Sequence, residues 1–114
     1  MTPHQGVGGG QALEDAYILG RLLAHPKTSL SDIAQVLKVY ETIRLPLSQE
    51  AAETSRNNGL VYDFMHPDYP VGEDAGKEEL GKLGKEIGRS FAWLGKAGCV
   101  DDWKKAEVSL VGSL

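Results

Sequence analysis

The apolar positions of this chain fall into helical patterns separated by breaks that carry proline or glycine. Over residues 11–24 the apolar members are Ala12, Leu13, Ala16, Tyr17, Ile18, Leu19, Leu22, Leu23 and Ala24. They surround the helix axis instead of forming one stripe, which predicts a helix buried on most sides. His25-Pro26 ends it. Ser29-x-x-Asp32 then offers a variant capping box. Ile33, Val36, Leu37, Tyr40 and Ile43 mark one face of a second helix, with Gln35, Lys38, Glu41 and Thr42 facing away. Pro46 either kinks one long helix or opens a new one at its first turn. Residues 47–56 are polar with small residues, and Asn57-Asn58-Gly59 has the form of a stop signal. The apolar cluster Leu60, Val61, Tyr62, Phe64 and Met65 has no period that decides between helix and strand.

Residues 1–5 are expected to be extended, because Pro3 fixes its own backbone and pushes Thr2 away from helix. Residues 66–73 hold two prolines and a glycine and predict a loop. Helix returns over residues 75–96, with Leu80, Leu83, Ile87, Phe91 and Leu94 at three-and-four spacing. Gly81, Gly84 and Gly88 line a second face suited to close approach by another backbone. After Gly98, Asp101 or Asp102 is the expected cap of a last helix carrying Trp103, Ala106, Val108, Leu110 and Val111. No segment reads as a definite strand. The predicted fold is mainly α: a buried helix after a Gly-rich loop, a long helix kinked near Pro46, and two C-terminal helices.

Composition narrows the possibilities. A chain of 114 residues is one domain or part of one. With 41% apolar and 25% charged residues it is globular in type. Six glycines in or beside the third helical region (Gly76, Gly81, Gly84, Gly88, Gly95, Gly98) each cost about 1 kcal/mol relative to Ala where helical, so marginal stability is expected. The net charge of −4, without a basic block, argues against nucleic acid as a partner. The single cysteine, Cys99, cannot form an internal disulfide and points to a reducing, intracellular and cytoplasmic setting. No apolar run approaches membrane-spanning length, and no targeting segment is visible, so no membrane partner is expected.

The candidate chemistry lies at the N-terminus. Gly6-Val7-Gly8-Gly9-Gly10-Gln11 has the spacing of a dinucleotide fingerprint until its sixth position, which is Gln11. No Gly-Lys-Ser/Thr follows, so it is not a P-loop either. What remains is physical: a glycine loop over residues 6–10 leading into a helix start, with bare backbone N–H groups at a positive helix end. Such a site suits an anion or the electron-rich edge of a ring. Against it stands a flexible glycine-rich end with no role. His4, His25 and His66 are isolated beside prolines and read as loop or surface residues, and no metal site is expected. Cys99 has no neighbouring base. Glu14 and Asp15, adjacent on a helix, do not face each other and read as dipole partners in its first turn. Trp93 and Trp103 read as core. Arg44 and Arg56 are candidate phosphate partners, against solvated or intrahelical pairing such as Glu53 with Arg56.

The stretch TPHQGVGGGQALEDAYILGRLLAHP resembles the C-terminal FAD-contacting segment of the FAD-dependent aromatic-ring monooxygenases, the salicylate hydroxylase-like group. The resemblance continues through Tyr40, Arg44 and Pro46 in VYETIRLPLSQEAAETSRNNGLVYDF and, more loosely, through the region around Trp93, where Gly95 replaces a second tryptophan. It implies FAD as cofactor, NAD(P)H and an aromatic small molecule as partners, and an oxidoreductase activity. It implies that backbone groups of Pro3, Gly6, Val7, Gly8, Gly9, Gly10 and Gln11 meet the flavin ring, with the Pro3 carbonyl on the substrate side. It assigns no catalytic side chain in this chain.

The same resemblance implies that the chain is a fragment. The family's Gly-Asp pair falls before Met1, and its first strand, nucleotide fingerprint and substrate sheet have no counterpart here. The expected division is residues 1–26 as the C-terminal piece of an α/β FAD-binding domain and residues 27–114 as a helical extension, with the missing N-terminal part of the enzyme as a partner. Alone, the chain is expected to be inactive and to hold FAD weakly or not at all. The alternative is a free-standing helical interaction protein derived from such an enzyme, docking to a partner chain through residues 11–24.

Overall fold

The structure, a computed structural model, describes residues 1–95 and 98–114. Its helices are α1 (Gly8–Leu23), α2 (Ile33–Tyr62), α3 (Lys77–Ser90) and α4 (Cys99–Ser113), with short 3-10 turns at Pro3–Gln5, Leu30–Asp32 and Ala92–Gly95. No strand occurs among the described residues, as the mainly α expectation required. The chain divides into two compact units: Met1–Val7 with Ala51–Lys96, and Gly8–Glu50 with Ala97–Leu114.

The unit built on Gly8–Glu50 has a continuous apolar core. Ile18 and Leu22 of α1, Val36 and Val39 of α2, and Trp103, Ala106 and Leu110 of α4 are buried together, flanked by Tyr17, Tyr40 and Ile43. The spacing of Trp103, Ala106 and Leu110 is that of one helical face. Burial of α1 is narrower than its sequence predicts. Leu13 is 75% exposed, and Ala12, Ala16, Leu23 and Ala24 also face outward, because α2 and α4 cover only one side of α1. Leu37 and Val108 are likewise exposed, while Val39 takes a buried place that the predicted stripe omits. The Arg21 guanidinium lies over the Trp103 ring, 4.4 Å from its centroid, a cation–π contact.

The entry to α2 follows its sequence signal in part. The Ser29 N–H donates to Asp32 Oδ2 at 2.9 Å, and the Ser29 hydroxyl donates to the same oxygen at 2.6 Å. These bonds hold the Asp32 carboxyl below its usual range, the hydroxyl contributing most. α2 then runs through Pro46 without ending. The missing proline N–H leaves the Thr42 carbonyl without its usual helical partner.

Asn57-Asn58-Gly59 does not stop α2. Ser55, Asn58, Gly59 and Val61 are buried in the unit built on Met1–Val7 and Ala51–Lys96, and packing overrides the local signal. The Ser55 hydroxyl donates to the Thr2 carbonyl at 2.5 Å. A Cβ on Gly59 would lie 2.6 Å from the His4 ring, so glycine here serves close approach. The helix ends instead at Tyr62, and Phe64, a non-glycine residue with φ 57°, caps it. The Met65 N–H bonds the Leu60 carbonyl at 2.8 Å and the Phe64 N–H bonds that of Val61 at 3.2 Å, the Schellman pattern.

Residues 66–73 lie outside any helix, as expected. α3 stops at Ser90, earlier than its stripe predicts; the expected end at Lys96 lies outside the described residues. Gln5 ties off this end: its amide donates to the Ser90 carbonyl at 2.8 Å and its oxygen accepts from Trp93 Nε1 at 3.3 Å. Leu83 of the stripe is buried, but Leu80 and Leu94 are exposed. Among the described residues nothing approaches the glycine face closely, since a Cβ on Gly81, Gly84 or Gly88 would meet nothing within 4 Å. The N-cap of α4 is Gly98, not Asp101 or Asp102; both acids lie in the first turn, and their N–H groups bond the Gly98 carbonyl.

Candidate functional site

The N-terminal segment is more ordered than a flexible glycine loop. Pro3 starts a 3-10 turn, not an extended strand, because its fixed φ suits a first helical position. Gly6 closes the turn at φ 68°, a left-handed conformation that favours glycine, and its N–H bonds the Pro3 carbonyl at 3.1 Å. Val7 is half-buried.

Helix begins at Gly8, three residues before the expected start at Gln11. Gly8, Gly9 and Gly10 are therefore the first turn of α1 and not part of a loop. Their N–H groups belong to the set that no helix satisfies internally. All three are exposed, and a Cβ on Gly9 or Gly10 would meet nothing within 4 Å. No acidic residue stands in this turn to neutralise the positive helix end.

Gln11 turns its side chain the other way. Its Oε1 accepts from Arg44 Nη2 at 2.9 Å. Arg44 is the largest fully buried side chain among the described residues, 2% exposed. Its Nε donates to Asp15 Oδ1 at 2.6 Å, and its Nη1 lies 3.0 Å from Asp102 Oδ2 and 3.2 Å from Glu14 Oε2. Burial disfavours its charge, yet the Asp15 hydrogen bond and the Asp15, Glu14 and Asp102 charges outweigh that and raise its pKa. Glu14 and Asp15 thus leave the role of first-turn dipole partners, because α1 starts early enough to put them in its second turn. Arg44 serves neither as a solvated residue nor as a phosphate partner. Arg56 is exposed.

The unit built on Met1–Val7 and Ala51–Lys96 has its own buried charge, which the sequence reading missed. Glu86 is 5% exposed. It pairs with Arg89, accepts from Tyr69 Oη at 3.0 Å and from Asn57 Nδ2 at 3.3 Å. The Arg89 hydrogen bonds, helped by those of Tyr69 and Asn57, hold its carboxyl below the usual range against burial. His66 joins through Asn57 Oδ1 at 2.7 Å. The Asp68 N–H donates to His66 Nδ1 at 3.1 Å, which assigns the ring proton to Nε2. A usable signal existed for both charges. Arg44 follows Ile43 on the apolar face of α2, and Glu86 stands three residues after Leu83 and one before Ile87.

His4 packs edge-on against Tyr62, and His25 lies beside Trp103 with Glu107 at 3.8 Å. Among the described residues no group of histidine, cysteine and acidic side chains has the form of a metal site. Among the described residues no helix is long and apolar enough to cross a membrane.

No family model matches the chain. A salicylate hydroxylase of Pseudomonas putida is 38% identical to it over 94 residues, covering 82% of this chain and 20% of that enzyme. A second salicylate hydroxylase of the same species is 37% identical over the same shares. An FAD-dependent monooxygenase of Strobilurus tenacellus is 28% identical over 93 residues, covering 82% of this chain and 19% of the relative. By sequence the chain belongs with the FAD-dependent monooxygenases of the salicylate hydroxylase group, and it spans about one fifth of the length of these curated relatives.

Proposed function

We propose that the chain is the flavin-contacting C-terminal segment of an FAD-dependent monooxygenase that hydroxylates an aromatic substrate with NAD(P)H and oxygen. The carrying observation is the bare glycine turn at the start of α1. Its exposed backbone donors, the open space above Gly9 and Gly10 and the absence of first-turn acids fit the edge of a planar, electron-rich ring. When bound, FAD supplies the redox and oxygen chemistry that no side chain of this chain offers. The residues here would position it: backbone groups of Pro3, Gly6, Val7, Gly8, Gly9, Gly10 and Gln11 along the ring, with the Pro3 carbonyl toward the substrate. Negative charge on the ring would gain about 0.3–2 kcal/mol from the helix end. Residues 1–26 would complete an FAD-binding domain, residues 27–114 would form its helical extension, and the remaining part of the enzyme would supply the rest of the cofactor and substrate sites.

Two measurements test this. The purified chain, mixed with FAD and passed through gel filtration, should retain no flavin absorbance and should hydroxylate nothing with NADH or NADPH. Stoichiometric retention would overturn the fragment proposal. The chain should also replace the matching segment of the P. putida salicylate hydroxylase with flavin retained, and Gly9→Glu in that chimera should weaken retention by about tenfold. A folded chimera without flavin would overturn the flavin role. The exposed Leu13 face of α1 also suits a free-standing interaction protein. In that case the isolated chain is monodisperse and binds a separate partner, and Leu13→Glu abolishes the binding.

A further inference from the structure

We propose that Arg44 is a positioning residue for the flavin-facing end of α1, holding the glycine turn helical through Gln11, Glu14 and Asp15 while Asp102 fixes the guanidinium from α4. The proposal rests on the flavin reading above. Its physical basis is a conflict within the first turn. Three successive glycines leave the helix end open, but each weakens helix relative to Ala. A turn of this composition frays unless something outside the helix anchors it. Gln11, Glu14 and Asp15 stand at i, i+3 and i+4, so they share one face of α1 directly after the glycines. All three reach Arg44, and Nε, Nη1 and Nη2 are each engaged. The planar guanidinium fork sets direction as well as distance, which a lysine ammonium would not.

Position 11 carries a second consequence. A neutral amide meets Arg44 without adding charge beside the helix end. A glutamate there would also accept from Nη2, so Gln11→Glu should keep the anchor and add one negative charge near the ring edge.

The test uses amide hydrogen exchange on the 114-residue chain, which needs no flavin. In Gln11→Ala, the amides of residues 12–16 should exchange about tenfold faster or more, while those of residues 19–23 in the same helix keep their protection. Gln11→Glu should restore the slow exchange, and Arg44→Lys should lose it even where the fold persists by circular dichroism. Unchanged exchange at residues 12–16 in Gln11→Ala, or equal acceleration along all of α1, would overturn the anchor. In the flavin-binding chimera, Gln11→Glu should shift the reduction potential of the flavin that remains bound to more negative values; an unchanged potential would overturn the positioning role toward the ring. Loss of the anchor claim shows in the exchange experiment, whereas failure of the flavin reading shows as an empty wild-type chimera.

Discussion

Arg44 and Glu86 are buried to a similar degree, at 2% and 5% exposure, but their surroundings differ. Arg44 draws its partners from α1 and α4, with Gln11, Asp15 and Asp102 at sequence separations of 33, 29 and 58. Three carboxylates surround one cation there. Glu86 meets its main counter-charge only three residues away, in Arg89, whose side chain is 71% exposed. Neutral donors from Asn57 and Tyr69 complete its shell. The first cluster joins three helices and fails if its centre is removed. The second fastens a loop and the end of α2 to α3, and its cation remains in reach of water. Burial alone therefore does not measure what a charged residue holds together.

The largest expected effect follows from that difference. Arg44→Met should destabilise its unit by about 3–5 kcal/mol, because the buried Asp102 loses its buried counter-charge and keeps only the exposed Lys105 ammonium at 3.9 Å. Each unit carries one tryptophan, Trp93 in one and Trp103 in the other. Urea unfolding followed by Trp103 fluorescence in a Trp93→Phe background would measure the loss where it occurs. A loss below 1 kcal/mol would erase the contrast between the two clusters.

Glu86→Gln should cost less, about 1–3 kcal/mol, since the amide keeps part of the hydrogen bonding. Its pH dependence gives a sharper signature. The folded Glu86 carboxyl titrates below its usual range, so its stabilisation is present above the ordinary glutamate pKa and is lost as pH falls through the depressed value. The gap between wild type and Glu86→Gln should be full above the ordinary glutamate pKa and should narrow as pH falls below it. A gap that widened in acid would contradict the role given to Arg89.

A smaller effect lies at the end of α2. Phe64→Gly relieves the left-handed backbone of an aromatic residue, partly offset by the greater freedom of glycine in the unfolded chain. A net gain of about 0.5–1 kcal/mol is expected as a rise in melting temperature. No gain would mean that the Phe64 side chain, 55% exposed, contributes more than its exposure suggests.

Much of this architecture is legible in the sequence. His25-Pro26 ended the first helix, Ser29 and Asp32 opened the next, and Trp103, Ala106 and Leu110 lay on one face. Local signals and short periods suffice for such features. The failures share a cause, which is tertiary contact over long separations. Nothing near Gly59 in sequence announces His4, so a stop signal became the interior of a helix. Nothing near Gly8 announces Arg44, so the helix start was placed three residues late. Leu13, Leu37 and Val108 differ in the opposite sense, as apolar residues left exposed. At the site, glycine content and position were legible, while the direction of Gln11 and the anchor behind it were not.

The division of the chain also orders events during synthesis. Neither unit is contiguous: one joins Met1–Val7 to Ala51–Lys96, and the other joins Gly8–Glu50 to Ala97–Leu114. A ribosome releasing this chain exposes Ile18, Leu22, Val36 and Val39 well before Trp103, Ala106 and Leu110 are made. Arg44 likewise emerges with Asp15 already available but must wait for Asp102. Both cores thus close only after their last segments are made, and until then the nascent chain carries open apolar surface, a period in which chaperone engagement has the most to protect.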